Sequence, residues 1–261
     1  MEIFKIIILG IIQGVTEFLP ISSSGHLAIS QYLLGIDTDQ LTLTVVLHFG
    51  TVIPVILIYW EDVKDILLFK KKKRRLSWLI LVAIIPTGII GFLFEDFIEG
   101  IFSSVLTVGI MLLITGLLIY LTEKLSRVKM NMDDMKEHNA LIVGIAQGLA
   151  IIPGISRSGT TIVSSLLQGL DRESAAKFSF LVSVPVIAGV GLLKLKDVLT
   201  VGLVQLSWFS LLIGFLVSAI SGYFAIKYLL HILKKGSLVI FAYYCWGIGL
   251  IVIFSQLAGI L

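Results

Sequence analysis

Charge is what this chain has least of. Only 14% of its 261 residues are charged, against 57% hydrophobic, and mean hydropathy is +1.04. A soluble domain carries about 25% charged residues, so this composition cannot cover a water-facing surface and is read as that of an integral membrane protein. Cysteine is almost missing. The single Cys245, in Tyr244-Cys245-Trp246, excludes an intramolecular disulfide and reads as a small packing residue. No Walker-type loop, zinc motif or dinucleotide fingerprint occurs, which removes the sequence case for nucleotide, zinc or nicotinamide chemistry. No small-residue cleavage site follows the first apolar run, so Met1-Glu2-Ile3-Phe4-Lys5 is expected to be mature sequence rather than a signal peptide.

What the chain does have is apolar length. A bilayer span needs about 17–25 residues. Six stretches approach or reach that, at approximately 42–60, 77–94, 104–121, 178–193, 204–226 and 238–258, the fourth being marginal. The regions around 3–35 and 140–170 differ. Each is a short apolar run, a polar break and a second run of about ten residues. Ten helical residues rise only ~15 Å, half the hydrocarbon thickness. Each region is therefore predicted to be a re-entrant helical hairpin, its turn lining protein or a watery cavity.

The two breaks are copies. Gln13-Gly14 leads to Ser22-Ser23-Ser24-Gly25, and Gln147-Gly148 leads to Ser156-Arg157-Ser158-Gly159 with the same internal spacing. The predicted fold is all-α, with two inverted-topology repeats of one hairpin and three transmembrane helices each. The first repeat covers 1–122, a linker 123–139 and the second repeat 140–261. An odd number of spans per half forces the inversion. Charge placement agrees. Segments 61–76, 122–139, 171–177 and 227–236, read as loops on one side, hold 16 of the 20 Lys and Arg, and the other side receives Lys5, Lys194 and Lys196. The positive-inside rule puts the 16 in the cytoplasm and both termini outside. The run Lys70 to Arg75 then faces anionic head groups rather than nucleic acid, and Glu95-Asp96-Phe97-Ile98-Glu99 reads as an outer loop.

Within the first hairpin, Gln13 and Glu17 lie one helical turn apart. Pro20-Ile21-Ser22-Ser23-Ser24-Gly25 follows, then His26, close enough to Ser22 and Ser23 for a hydroxyl to meet its imidazole. The second hairpin carries Pro153-Gly154-Ile155-Ser156-Arg157-Ser158-Gly159-Thr160-Thr161 in the matching place. Both turns feed a half-helix N-terminus, where free amides and the macrodipole attract anions. Arg157 adds a planar fork suited to phosphate oxygens. Arg at a membrane centre costs at least ~2.5–3.5 kcal/mol, which argues for use rather than accident. A structural alternative is a Glu17–Arg157 pair that merely locks the two halves. His48 reads as packing or pore lining, His138 and His231 as solvated loop residues, and Asp171 as an N-cap.

Together these motifs resemble the undecaprenyl-diphosphate phosphatases, the bacitracin-resistance family of bacterial inner membranes. Gln13-Gly14-Val15-Thr16-Glu17 is similar to that family's (E/Q)xxxE motif, Pro20 to His26 to its continuation, and Pro153-Gly154-Ile155-Ser156-Arg157-Ser158 to its PGxSRS. The resemblance covers the whole chain, including Ala175-Ala176-Lys177-Phe178-Ser179-Phe180-Leu181. It implies hydrolysis of a polyprenyl diphosphate to the monophosphate carrier of peptidoglycan synthesis, at a site opening to the outer face. Glu17, Ser23, His26 and Arg157 are the expected catalytic residues. Gln13, Ser22, Ser24, Gly25, Ser156, Ser158, Gly159, Thr160 and Thr161 are the expected substrate contacts. Ser23, with His26 or Glu17 taking its proton, or a water activated by Glu17, is the expected nucleophile. A divalent cation, Mg2+ or Ca2+, held in part by Glu17 is a further expectation, with one carboxylate fewer because Gln13 stands where the family also uses Glu. The lipid substrate and the bilayer are the expected partners, together with a homodimer. The rival class is a secondary transporter or flippase, which shares broken helices and midplane charge but has no need of a Ser/Glu/His cluster.

Overall fold

Several helices in this apolar chain start where a serine or aspartate takes up a free amide, while Pro54, Pro86 and Pro185 lie within helices. The computed structural model describes residues 3–36, 41–102, 104–201 and 207–259, without the side chains of 95–102, 195–201 and 235. The helices are α1 (Ile3–Phe18), α2 (Ser23–Leu33), α3 (Leu41–Ile58), α4 (Trp60–Leu67), α5 (Arg74–Phe102), α6 (Val105–Leu125), α7 (Glu137–Leu149), α8 (Arg157–Leu167), α9 (Arg172–Val201), α10 (Trp208–Lys235) and α11 (Val239–Leu257). No β-strand occurs among the described residues. Ser22, Ser104, Ser156 and Ser207 each accept an amide from the first turn that follows. Asp171 does the same for Ser174, 2.9 Å away, as its sequence position predicted. At the far end of α10, Gly236 (φ 103°) supplies the left-handed residue that ends a helix.

Six of these helices are long and apolar enough to cross a membrane: Leu41–Ile58, Lys71–Phe94, Val105–Leu125, Arg172–Lys194, Trp208–Lys234 and Val239–Leu257. They match the six predicted stretches, and the one that seemed marginal is 23 residues long. The chain is thus a multi-pass, all-helical membrane protein. Several segments taken for loops are helical instead. Residues 227–235 continue α10, 172–177 open α9, and 60–67 form the short α4. The backbone of 95–99 belongs to the last turns of α5, although their side chains, like that of Lys196, lie outside the described residues. His138 and His231 are exposed as expected, but on helices. Charged side chains tie these ends together. Asp62 takes Lys73 and Lys177, each at 2.6 Å. Burial works to raise its carboxyl, but the two ammonium groups outweigh it and hold Asp62 below the usual carboxylate range.

The helices pack through small residues. Gly10 lies against Gly214 and Val217 of α10, and Gly14 against Ser218, Ser221 and Gly222, so α1 and α10 run parallel. The second copy repeats this. Gly144 lies against Ala83 and Pro86 of α5 and Gly148 against Ile90, so α7 and α5 also run parallel. Small residues four apart let backbones approach closely where lipid offers no hydrophobic drive between helices. Other neighbours run antiparallel. Gly109 of α6 meets Gly249 and Ile253 of α11 while Gly116 meets Ala242 and Trp246. In α3, Phe49 touches Gly191 of α9 while Tyr59 lies 6.3 Å from the Phe180 ring.

This packing has a direct test. A Cβ on Gly144 would overlap the Ala83 carbonyl oxygen, whereas one on Gly88 meets nothing within 4 Å. Overpacking costs roughly 1–3 kcal/mol. Gly144→Leu is therefore expected to lower the thermal midpoint in detergent by several degrees and Gly88→Leu to leave it unchanged. Equal midpoints would contradict the α5–α7 contact.

Candidate active site

Proline sets the geometry of the first tip. Pro20 cannot continue α1, so the chain turns at Leu19 to Ser22 and restarts as α2 at Ser23. The second tip runs from Ala150 to Ser156 and restarts as α8 at Arg157. Ser23 and Arg157 are thus equivalent positions, related by the offset that carries Gln13 onto Gln147. The caps repeat as well: Ser22 Oγ accepts from the Gly25 amide at 3.3 Å, and Ser156 Oγ from the Gly159 amide at 3.0 Å. Ser22 and Ser24, and likewise Ser156 and Ser158, have their hydroxyls 3.3 Å apart.

The two tips touch. Ser158 Oγ donates to the Leu19 carbonyl at 3.1 Å. A Cβ on Gly25 would come 3.4 Å from Cα of Gly154, and one on Gly159 3.1 Å from Pro20 Cβ. Gly154 itself is at φ 95°, and a side chain there would meet Met111 and the Val108 carbonyl at 2.7 Å. Only glycine suits that turn. Two half-helices therefore start side by side. The amides of Ser23, Ser24, Arg157 and Ser158 make no hydrogen bond among the described residues. Four such donors at two helix N-termini form a site for an anion.

Charge concentrates at the same place. Arg157 Nη2 donates to Glu17 Oε1. Glu17 Oε2 accepts from Gln13 Nε2 at 2.8 Å, and His48 Nε2 stands 3.7 Å away. The Ser23 hydroxyl faces the same carboxylate. Glu17 is only 4% exposed, Gln13 fully buried, and the Gln13 Oε1 oxygen has no hydrogen-bond partner among the described residues. Below this cluster a narrow crevice is lined by Glu17, Phe18, Arg157, Ser158, Thr161 and, from α7 and α9, Gln147, Ser179, Phe180 and Ser183. The hydrophobic floor is the edge-on pair Phe18 and Phe180, with ring centroids 5.5 Å apart.

The structure thus gathers Gln13, Glu17, Ser22, Ser23, Gly25, Ser156, Arg157, Ser158 and Gly159 around one point. Ser24 is exposed at its edge. Thr161 turns away from the tip: its hydroxyl bonds Ser179 at 2.6 Å and the Arg157 and Ser158 carbonyls. Thr160 brings only its amide, to the Ser156 carbonyl. His26 departs from the expectation of a serine hydroxyl at its ring. Its Nδ1 lies 2.8 Å from the Ser22 carbonyl and its Nε2 2.9 Å from the Tyr244 hydroxyl. At i−4 along a helix the nearest acceptor is a backbone carbonyl, and that carbonyl wins the ring. His48, expected as packing or pore lining, stands with its Nε2 3.7 Å from Glu17 Oε2. A titratable side chain inside an apolar span was the available signal. Ser179 stood only within the resemblance, and Tyr244 and Ser183 gave no signal, because their positions depend on which helices pack together.

The family model described as bacitracin resistance protein BacA matches residues 6–251. An undecaprenyl-diphosphatase of Halothermothrix orenii is 67% identical over 260 residues, covering 100% of both chains. Proteins of the same name from Alkaliphilus metalliredigens and Methanosphaera stadtmanae are 47% and 45% identical, covering 98% and 97% of this chain and 100% and 98% of their own. With a match across nearly its whole length and full-length relatives at up to 67% identity, the chain belongs to the bacitracin resistance protein BacA family.

Proposed function

We propose that this protein removes the terminal phosphate of a polyprenyl diphosphate, undecaprenyl diphosphate by the names of its relatives, and so returns the monophosphate carrier to peptidoglycan synthesis. One observation carries the reading: two helix N-termini, with four amides unbonded among the described residues, start beside each other at Ser23 and Arg157, with Glu17 in the same cluster. Relatives at 67% and 47% identity are named for this hydrolysis and none of them for transport.

The chemistry follows from the parts. The diphosphate's negative charge is met by the free amides, the helix dipoles and the unused N–H groups of Arg157. Ser23 Oγ attacks the terminal phosphorus in line with the bridging oxygen, and Glu17 takes the hydroxyl proton. The P–O bond to the bridging oxygen breaks and the lipid monophosphate leaves. A water then cleaves the Ser23 phosphoester, restoring the hydroxyl and releasing inorganic phosphate. Ser22 supports Ser23 as the reacting group. It sits at φ 69°, while its counterpart Ser156 is at −76°. A non-glycine residue held there costs about 1–3 kcal/mol, and such strain clusters at functional sites. Glu17 and the unpartnered Gln13 Oε1 are hard oxygen donors fit for a divalent cation such as Mg2+ or Ca2+; bound with the substrate, it would supply further charge neutralisation. Purified protein in detergent is expected to release phosphate from a polyprenyl diphosphate, and a chelator to slow it. No release with or without added Mg2+ or Ca2+ would overturn the function.

The same reading includes the arrangement in the membrane: two inverted repeats, tips that re-enter from opposite sides, both termini outside and a site open to the outer face of the inner membrane. Support comes from helix direction. The starts of α6 (Val105) and α11 (Val239), and those of α5 (Arg74) and α10 (Trp208), are related by the same offset as the two polar breaks. Within the first of these pairs, α6 packs antiparallel to α11. Antiparallel counterparts are what inversion produces. Cysteines at Ser104 and Lys72 are expected to be labelled from opposite sides, Ser104 from outside. Labelling from one side would break the inversion.

A further inference from the structure

His26 is held by two hydrogen bonds, and they determine its tautomer. The Ser22 carbonyl, 2.8 Å from Nδ1, can only accept, so Nδ1 carries the proton. In the neutral ring Nε2 is then bare, and the Tyr244 hydroxyl 2.9 Å away donates to it. The two rings lie nearly parallel, 12° apart with centroids at 5.6 Å, so Tyr244 also limits how the imidazole turns. The pair joins α2 to α11, from opposite ends of the sequence. It is built once only. In the other repeat, Thr160 stands at the position equivalent to His26 and Ile110 at that equivalent to Tyr244, so symmetry does not account for it. Tyr244 reaches this bond from α11, a helix made mostly of apolar residues.

We infer that Tyr244 is a positioning residue, whose phenol fixes the orientation of the His26 ring beside the phosphate site, in the tautomer that the Ser22 carbonyl sets. This rests on the phosphatase reading for its kinetic consequence but not for its structural one. Holding an imidazole in one tautomer through a hydrogen bond at one nitrogen is a common way proteins set which nitrogen is basic. Here the basic nitrogen is kept away from Ser23, which leaves Glu17 as the base for Ser23. His26 then acts on substrate or product on the flank of α2 that faces α11.

Tyr244→Phe keeps the ring and deletes the hydroxyl. It is expected to lower kcat about tenfold with KM within about twofold, the mark of a group that orients rather than binds. Tyr244→Phe combined with His26→Ala should be no worse than His26→Ala alone, because both changes remove one unit. A purely structural tyrosine would instead give losses that multiply. Imidazole 15N spectra of the histidine-labelled protein, with His26 assigned by its loss in His26→Ala, read the structure without any turnover. They are expected to show Nδ1 protonated and Nε2 bare, and Tyr244→Phe should move the His26 Nε2 signal. An Nε2-protonated neutral ring, an unmoved signal, or multiplying losses would overturn the inference. Expected spectra from a protein that releases no phosphate would overturn the phosphatase reading and leave the positioning intact.

Discussion

Arg157→Lys is expected to cut phosphate release by roughly a hundredfold while the protein stays folded. The ammonium keeps the charge but loses the planar fork, and with it the ability to hold Glu17 and phosphate oxygens together. Arg157→Ala should lose about a thousandfold or more, in line with the removal of a phosphate-stabilising arginine. The structure adds a second consequence. Glu17 is 4% exposed and Arg157 is its ion-pair partner. Removing one partner of a buried pair costs about 3–5 kcal/mol because the other charge is stranded. Arg157→Ala should therefore also lower the thermal midpoint, and Glu17→Gln should restore much of it in the double variant. Phosphate release and thermal unfolding in detergent measure the two effects separately. Near-normal turnover in Arg157→Ala would leave the guanidinium as a lock between the tips and nothing more.

Glu17→Gln should lower kcat about a thousandfold with little change in KM. The amide fills the same space and still meets Gln13 and Arg157, but it cannot accept the Ser23 proton. The geometry also decides how this loss combines with others. Glu17 belongs with Gln13, Arg157, Ser23 and His48, whereas His26 is bonded to Ser22 and Tyr244. The losses of Glu17→Gln and His26→Ala are thus expected to multiply. Losses that do not multiply would mean that the two act as one unit, with His26 leaving Tyr244 during turnover.

The amino-acid sequence by itself determined the membrane class, because a chain so poor in charge cannot face water, and the six spans, because apolar length in a bilayer permits one structure. It also determined that each polar turn would feed a half-helix N-terminus, since proline, glycine and serine act locally; that α2 opens at Ser23, ahead of His26, and α8 at Arg157 was decided by the structure. Glu17 and Arg157 were legible as functional because ionisable groups in apolar surroundings are costly. Their pairing was visible only as one option among others. Tertiary structure decided the rest. Residues 227–235, read as a loop from their local polarity, continue α10 in the structure. His26 turned from the serines to Tyr244 because a backbone carbonyl one turn back satisfied Nδ1 and α11 brought a phenol to Nε2. His48 reached Glu17 because α3 and α1 both pack along α10 through small residues. Contacts between helices far apart in the chain have no periodicity to betray them, so the partners of His26 and Glu17 became known only when the helices met.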